Sequence, residues 1–323
     1  MDLDAPLSVC DTTGVPAALP AHGSVVLRRL TRADEAALCA LLGTDVWNNS
    51  YLFGILHWFG LDGPRSRFTG AFVGGRLVGV LGEGRETHCW YASLSAGDPA
   101  VAAALAGELV VPRVEVLLGR EDVVSAAVAA LPETRVRRTA RLILSISDDA
   151  MSSGRPAHPV RRATRADLRG LVDLYEGYEL DGYPTRRHVW RALGERIRRG
   201  AIWVLELDGR PVAARRVEAS SPEVMVLGGL TVDPAYRGRD LAQAVRLASV
   251  ADLARLGRRH CALRHVDNAR VKRSELRDHA PWSVANLAGV ALPRWRDLLG
   301  RMRARLSSWD RPCRRRKADF IIR

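Results

Sequence analysis

The stretch LTVDPAYRGRDLAQAV, residues 230–245, carries the signals of a strand, a tight turn and a helix in succession. Pro234 ends the strand, because proline cannot donate a hydrogen bond to a central ladder. Gly238 lies in the turn, where the missing side chain lets the backbone approach a ligand closely. A helix that begins near Asp240 points its unpaired N–H groups and the positive end of its dipole at the turn. The stretch therefore predicts an anion site of the kind that binds phosphate.

Asp240 is the unexpected residue of this turn. As a helix N-cap, its carboxylate would accept backbone N–H bonds that are otherwise unpaired, and we favour this interpretation. Beside a bound diphosphate the same charge would be repulsive, on the order of 3 kcal/mol at about 5 Å and an effective dielectric of about 20. Arg237 and Arg239 would offset that repulsion.

The segment VDPAYRGRDLA, residues 232–242, resembles the acetyl-CoA pyrophosphate loop of the GNAT N-acetyltransferases, V-x-P-x-[YF]-[RQ]-x-x-G-x-[GA]. Every fixed position matches except that Asp240 stands for the glycine. The resemblance implies a pantetheine arm along one strand and a pyrophosphate at the turn. The implied cofactor-binding residues are Leu230 and Val232 for the arm, Arg237, Gly238, Arg239, Asp240, Leu241 and Ala242 for the pyrophosphate, and Asn268 near the pantetheine.

The chain also contains an internal repeat. The matching segments are LRRLTRADEAAL (27–38) with VRRATRADLRGL (160–171), VGGRLVG (73–79) with LDGRPVA (207–213), and GDPA (97–100) with VDPA (232–235). Three matches in register predict that the two halves share one architecture. The layout is similar to tandem GNAT proteins, in which one half is often degenerate. The first half offers only DPAVAAALA, without arginine or glycine, so we expect one cofactor site per chain.

Each half predicts a short strand, a helix with a capping box at Thr31 or Thr164, and two strands joined by a glycine hairpin, Gly74-Gly75 or Asp208-Gly209. The expected fold class is therefore mixed α/β: two tandem GNAT-like domains, each a mixed, mostly antiparallel sheet flanked by helices. The predicted units are an N-terminal extension (1–23), a degenerate GNAT-like domain (24–150), a linker (151–159), a GNAT domain with the CoA loop (160–293) and a basic C-terminal segment (294–323). The final ADFIIR of that segment is a candidate last strand.

Composition narrows the class of protein. The 323 residues are 47% hydrophobic and 26% charged, which is typical of a soluble globular protein. No apolar run is long enough to cross a bilayer, and the first residues lack a secretory signal, so we expect no membrane insertion and a cytoplasmic location. The five cysteines are scattered, without zinc-ligand spacing, and predict free thiols and no metal.

The formal net charge of +13 comes almost wholly from arginine. Residues 294–323 hold eleven basic and three acidic residues, and Trp295 and Trp309 are interleaved with them. Such a segment suits an anionic partner, and tRNA or an acidic carrier protein are the candidates. The alternative is an amphipathic helix that packs on the domain with its arginines in solvent.

Acyl transfer to an amine needs a base for the ammonium and often a proton for the leaving thiolate. The candidate bases are His265, at the end of the CALRHV strand, and Glu218, in ARRVEAS. The family usually supplies the proton from a tyrosine seven residues after the asparagine, and that position is Glu275 here. Glu275 could act so only if burial raised its pKa well above about 4.3, and the alternative is a surface carboxylate.

The acceptor should lie where the first two helices of the second half meet, following the family layout. Tyr175, Tyr178, Glu179 and Tyr183 form an aromatic and acidic group suited to a cationic amine, and the alternative is a helix end with core tyrosines. In the first half, YLFGILHWFG (51–60) is strongly apolar, which indicates core or a contact between the halves.

These features predict an N-acyltransferase that uses acyl-CoA, with acetyl-CoA as the default, and acts on a small amine without a metal. The first alternative is an aminoacyl-tRNA-dependent transferase on a paired GNAT fold, which the Asp240 departure and the basic segment favour. The second is a non-catalytic protein that binds CoA or another ligand.

Overall fold

Both halves of the chain run through the same order of strands and helices in the computed structural model, which describes residues 24–86, 90–109, 114–146, 158–179, 185–265 and 278–287. The first half contains β1 (Val26–Arg29), α1 (Glu35–Gly43), α2 (Ser50–Phe59), β2 (Ser66–Val73), β3 (Arg76–Arg85), β4 (Trp90–Ala96), α3 (Pro99–Gly107), β5 (Val114–Arg120), α4 (Glu121–Ala129) and β6 (Val136–Ile146). The second half contains β7 (Val160–Arg162), α5 (Leu168–Glu179), α6 (Arg186–Arg198), β8 (Ile202–Leu207), β9 (Arg210–Ser220), β10 (Val224–Val232), α7 (Leu241–Arg255), β11 (Arg259–His265) and β12 (Asp278–Leu287).

The repeat is visible in local chemistry at the start of each half. Thr31 and Thr164 both form the predicted capping box, at the N-terminus of a short 3-10 helix that leads into α1 or α5. The acidic partner is Asp34 in one half and Asp167 in the other, and each carboxylate also accepts two hydrogen bonds from an arginine six residues upstream. The capping boxes are confirmed.

Both predicted hairpins are confirmed as well. Gly74 and Gly75, between β2 and β3, have φ angles of 57° and 78°. Asp208 and Gly209, between β8 and β9, have φ angles of 53° and 73°. Two successive residues with positive φ match the twist of a two-residue hairpin.

The two halves are joined in one 12-stranded sheet of order β1-β2-β3-β4-β5-β12-β6-β11-β10-β9-β8-β7. β12 of the second half lies between β5 and β6, and β6 of the first half lies between β12 and β11, so each half completes the sheet of the other. Among the described strands only β4 with β5 and β10 with β11 pair in parallel. The mixed, mostly antiparallel class is confirmed. The expectation of a separate sheet in each half is wrong, because the strands of both halves form one continuous sheet.

β12, DHAPWSVANL, was not predicted from the sequence, and it contains a proline. Pro281 pairs in register with Ile143 of β6, but β12 pairs with β5 only from Trp282 onward. Among the described strands, Pro281 therefore lies where β12 has a neighbour on one side only, a position that tolerates a missing N–H. The candidate strand ADFIIR lies outside the described residues.

α2 holds the two halves together. Leu52, Phe53 and Ile55 are buried in the core beneath β2 and β3. On another face, Gly54 packs against Ala219 and Ser220 of β9, and a Cβ built there would lie 3.4–3.5 Å from their atoms. The sheet thus curves far enough for one helix to contact strands of both halves. The expected role of residues 51–60 as core and inter-half contact is confirmed.

Two expectations from composition have different outcomes. Cys39 of α1 is disulfide-bonded, so the expectation that all five cysteines are free thiols is wrong. Among the described residues, no helix is long and apolar enough to cross a membrane.

Candidate functional site

β10 and β11 separate after a short parallel contact. Residues 224–226 of β10 pair with residues 259–261 of β11, and no pairing between the two strands continues beyond them. β11 goes on alongside β6 as far as His265, while β10 continues to Val232 beside β9. The edge of β10 that faced β11 is therefore left without a ladder partner among the described strands. We call the gap between β10 and β11 beyond this contact the wedge; within the described residues, its β10 edge has no ladder partner.

A bulge in β10 lies next to the wedge. Gly228 pairs with Arg216 and Thr231 pairs with Ala214, so Gly229 and Leu230 fall outside the β9 ladder. Gly229 has a φ of 54°, and a Cβ there would come within 2.9 Å of the Arg216 guanidinium, so glycine is needed for both conformation and space.

Tyr175 of α5 holds this bulge in place by a hydrogen bond. Its ring is fully buried, and its hydroxyl donates to the Gly229 carbonyl over 2.7 Å. The Arg216 guanidinium lies 5.2 Å from the centre of the ring. A buried helix residue and a buried strand residue thus hold the irregular segment of β10 in one conformation.

The turn after β10 leaves a helix N-terminus open. The Asp233 carboxylate accepts from the Ala235 N–H over 2.9 Å and starts a 3-10 turn, Pro234–Tyr236. α7 then begins at Leu241, and its first hydrogen bond runs from the Ala244 N–H to the Asp240 carbonyl. The N–H groups of residues 238–243 donate to no described residue. These six donors can therefore bind an anion, because they lie at the end of the helix where its dipole is positive.

Asp240 does not cap α7 as expected. It is the N-cap residue by position, but its side chain makes no capping hydrogen bond. Its φ of 57° and ψ of 16° are left-handed, whereas an N-cap that accepts from the helix has an extended backbone. The turn needs positive φ at this position, which glycine adopts without strain and which aspartate adopts more readily than most residues. The favoured N-cap interpretation is wrong.

The exposed surface of the turn is basic. Arg237, Gly238, Arg239 and Asp240 are all exposed at the tip of the turn. The Arg239 guanidinium lies 5.1 Å from the Tyr236 ring centre, and Arg237 forms no ion pair with a described residue. Two arginines against one aspartate leave a positive charge beside the open N–H groups.

Glu218 of β9 lies beside the bulge, and a Cβ on Gly228 would meet its side chain. Its Oε1 accepts from Arg216 Nε over 2.7 Å, and its Oε2 accepts from Arg196 Nη2 over 3.3 Å. Burial by itself raises the pKa of the Glu218 carboxyl, but Arg216 and Arg196 outweigh it and hold that pKa below 4.5. A carboxylate held in this way accepts a proton poorly at neutral pH, which weighs against Glu218 as a general base.

The Glu218 ion pairs predict a pH-dependent stability. Because the folded pKa is lowered, their contribution is present above about pH 4.5 and is lost as the pH falls through the folded value. We expect Glu218→Gln to cost about 2 kcal/mol at pH 7 and much less at about pH 3, since the amide removes the negative charge that pairs with Arg216 and that Arg196 shares with Glu86. Melting temperatures measured across this pH range test the prediction. Glu206→Gln, at an exposed pair with Arg161, should cost under about 1 kcal/mol throughout. An equal loss of stability for Glu218→Gln at every pH would contradict a charged Glu218 that stabilises the fold through its ion pairs.

The other predicted site residues fall into two groups. Tyr175 is fully buried, as its core alternative expects, and Leu230 and Val232 are half-buried on β10. His265 ends β11, and Tyr178 and Glu179 lie in the last turn of α5, but their side chains are outside the described structure. Tyr183, Asn268 and Glu275 lie outside the described residues, so their roles remain predictions. Among the described residues no group of three or more His, Cys, Asp or Glu is placed to hold a metal ion.

No protein-family model and no curated protein matches the sequence. Solved structures do match. A GCN5-related N-acetyltransferase from Sphaerobacter thermophilus is 12% identical with a TM-score of 0.52, and the match covers 83% of this chain and 97% of that one. A GNAT-family acetyltransferase from Colwellia psychrerythraea is 13% identical with a TM-score of 0.51, over 81% and 99% of the two chains. A tandem GNAT protein from the clavulanic acid biosynthesis pathway is 16% identical with a TM-score of 0.49, over 83% and 100%.

The chain has the fold of the GNAT acetyltransferases. Two GNAT-like units share its sheet. They differ at the connection from β4 to α3 in the first unit and from β10 to α7 in the second. In the first unit, α3 starts directly after Asp98, whose carboxylate accepts from the Ala100 N–H over 2.6 Å. Pro99 at its first position has no N–H to offer. In the second unit, four residues separate the 3-10 turn from α7 and leave the N–H groups available. The open helix N-terminus therefore belongs to the second unit.

Sequence reasoning missed the residues that shape β10 in the second GNAT-like unit. Gly228 and Gly229 are consecutive glycines inside a strand, a local signal of a bulge. No comparable signal identifies Arg196, because its partners, Glu86 and Glu218, come from distant parts of the sequence.

Proposed function

We propose that the chain is an acyl-CoA-dependent N-acyltransferase, with acetyl-CoA as the donor, that holds the coenzyme in its second half and acylates a small amine directly. The observation that carries this proposal is the open N-terminus of α7, with its six available N–H groups and two neighbouring arginines, next to the wedge between β10 and β11. A diphosphate matches these donors in charge and in hydrogen-bonding capacity, so the residues present fit the coenzyme.

Three parts of the site divide the work of binding. The N–H groups of residues 238–243, with Arg237 and Arg239, would hold the diphosphate. The free edge of β10 at Leu230 and Val232 would pair with the amides of the pantetheine arm. The bulge at Gly229 would bring the reacting end of that arm into the wedge, because the Tyr175 hydroxyl keeps the bulge from relaxing into a regular ladder.

The thioester, when bound, supplies the acyl group. The amine nitrogen forms a bond to the carbonyl carbon, the carbon–sulfur bond breaks, and the thiolate leaves, while the ammonium must first give up a proton. Since Glu218 is held as a low-pKa carboxylate, His265 remains the candidate base, and Glu275 remains the candidate source of the thiolate's proton.

The acceptor is proposed to approach from α5 and α6. Tyr175 is too buried to contact it, so Tyr178, Glu179 and Tyr183 remain the candidate contacts. The cytoplasmic location and the basic segment's anionic partner, tRNA or an acidic carrier protein, remain predictions.

Calorimetric titration with CoA and acetyl-CoA, followed by assay of thiol release over a panel of amines, tests the proposed function. We expect micromolar binding of one coenzyme per chain and acyl transfer to at least one amine. No heat with CoA, together with co-purifying RNA, would favour the aminoacyl-tRNA-dependent alternative. Binding without turnover over the whole panel would favour a ligand-binding protein.

Substitution of Asp240 separates charge from conformation in that titration. Asp240→Asn removes the carboxylate but tolerates the left-handed backbone, and we expect CoA to bind about tenfold more tightly, since solvent screens much of the repulsion. Asp240→Gly should give the same gain in affinity and add up to about 1 kcal/mol of stability, because glycine adopts positive φ without strain. Unchanged or weaker CoA binding in both variants would place the diphosphate elsewhere.

A further inference from the structure

A groove between the two halves lies outside the proposed coenzyme site. It has a volume of about 530 Å³, within the range of small-ligand sites. One wall comes from the first half, one from the start of α5, and the floor is formed by α6. The lining residues used below are Arg65, Arg85 and Glu86 on the first wall, Arg165 on the second, and Trp190, Arg191, Gly194, Glu195 and Arg198 on the floor.

The groove carries a net positive charge. Five arginines and two glutamates line it, a formal charge of +3. Both glutamates are already paired: Glu195 accepts a bidentate pair of hydrogen bonds from Arg65 at 3.0 and 3.1 Å, and Glu86 accepts from Arg196 at 2.8 Å. By contrast, four of the lining arginines are exposed and form no ion pair with a described residue. These four are Arg85, Arg165, Arg191 and Arg198.

The floor presents an exposed aromatic ring. Trp190 is 43% exposed, one of few large apolar side chains in the described structure that lie open to solvent. Gly194 is one helical turn away on the same face of α6 and presents no side chain to the groove at that position. A Cβ at Gly194 would come no nearer than 3.8 Å to Leu168, so packing does not require glycine there. A helix-interior glycine costs about 1 kcal/mol relative to alanine, and here it leaves open space in the groove.

We propose that this groove binds a nucleotide unit, with the base stacked on Trp190 and the phosphate paired with the unpaired arginines. A flat ring beside several guanidinium groups recognises a base joined to a phosphate, because the ring accepts the face of any base and arginine matches phosphate geometry. An acidic peptide would use the arginines but would leave the indole without a partner. The nucleotide unit comes from a free mononucleotide or from a single-stranded end of RNA.

Binding of a labelled oligouridylate to the full chain, measured by fluorescence anisotropy in the absence of CoA, tests the proposal. The oligomer is about six nucleotides long, to match a short single-strand site. Uridine monophosphate serves as the competitor. We expect Trp190→Ala to weaken binding roughly tenfold and Trp190→Phe to retain most of the affinity, since stacking survives. Arg191→Glu with Arg198→Glu should weaken it about 30-fold and reduce the slope of log K against log salt by roughly 0.7 for each phosphate that is no longer neutralised. Displacement by the mononucleotide at equal nucleotide concentration identifies a free nucleotide as the source, and displacement only by the oligomer identifies a strand.

Three controls keep this result specific to the groove. Arg29→Glu with Arg32→Glu makes the same charge change at exposed residues that do not line the groove and should leave the affinity within about twofold. Arg314→Glu with Arg315→Glu measures the share of the basic C-terminal segment. Gly194→Met should fill the groove and abolish binding while the melting temperature stays equal or rises, because methionine is the better helix former.

The proposal is overturned if the wild-type chain binds neither ligand, or if Gly194→Met and the Arg191 and Arg198 variant bind as the wild type does. It is also overturned if polyglutamate displaces the oligomer equally well and Trp190→Ala has no effect, which would indicate an acidic protein partner. Saturating CoA should leave the oligomer bound. Complete displacement by CoA would place the oligomer in the coenzyme site and contradict a separate groove. Since CoA binding is measured apart, failure of the groove and failure of the proposed function are distinguishable.

Discussion

Arg237→Glu combined with Arg239→Glu is expected to weaken CoA binding by about 100-fold, since each reversal removes a charge-assisted bond to the diphosphate worth about 1.5 kcal/mol or more. Both side chains lie at the surface of the turn before α7. The new carboxylates also add repulsion to a ligand that already faces Asp240. Calorimetric titration measures the change directly. Because neither arginine is buried, the melting temperature should change little.

Pantetheine, which has no diphosphate, supplies the discriminating ligand for this variant. Its affinity should be the same for the wild type and for the double variant, since its contacts are expected along β10 at Leu230 and Val232. The matched control, Arg29→Glu with Arg32→Glu, should bind CoA as the wild type does. An equal loss for CoA and pantetheine would mean that the substitutions disturb the fold of the turn rather than a phosphate contact.

Tyr175→Ala is expected to destabilise the chain by about 4 kcal/mol, because it removes a fully buried ring together with its hydrogen bond to Gly229. The melting temperature should fall by roughly 6 °C for a chain of this length. The milder Tyr175→Phe keeps the ring and removes only the donor, so we expect a loss of about 1 kcal/mol and a weakening of CoA binding by about threefold as the bulge loosens.

Phe68→Ala is the control for Tyr175. Phe68 is equally buried, but in the core of the first half, so its removal should cost a similar free energy of unfolding without changing the affinity of the remaining folded protein for CoA. If Tyr175→Phe binds CoA with unchanged affinity, the Tyr175 hydroxyl is a core hydrogen bond without a role in the site.

The parts of the fold that could be predicted from the sequence are those with short-range chemistry. The capping boxes at Thr31 and Thr164 and the hairpins at Gly74-Gly75 and Asp208-Gly209 depend on residues close together in the chain. The repeated order of elements followed because the same signals recur at a nearly constant offset. Pro234 likewise marked the end of the strand that leads into the turn.

The exchange of β6 and β12 could not be predicted, because strand pairing between segments far apart in the chain has no local signal. β12 also contains Pro281, which the ladder tolerates because β12 pairs with β6 alone at that residue among the described strands. The groove between the halves could not be predicted for the same reason, because Arg65 and Glu195, which pair beside it, come from opposite halves of the chain.

The error at Asp240 has a different physical source. A residue type that favours N-caps also tolerates the left-handed region, and the sequence alone does not say which property a turn uses. The conformation decides, and here a positive φ leaves the carboxylate without a capping bond. At Gly229 the sequence does contain a local signal, because two consecutive glycines in a strand indicate a bulge. The structure adds the reason for the bulge: the Gly229 carbonyl accepts a hydrogen bond from the Tyr175 hydroxyl.

The central claim is that the N–H groups of residues 238–243 at the start of α7 bind the coenzyme diphosphate. Backbone amide NMR of the ¹⁵N-labelled chain during titration with CoA tests it most directly. The account predicts large, saturable shifts for the amides of Gly238 to Gln243, with no comparable shift for Ala100 and its neighbours at the start of α3. Saturating CoA that leaves the amides of residues 238–243 unmoved, or that shifts the start of α3 instead, would contradict it.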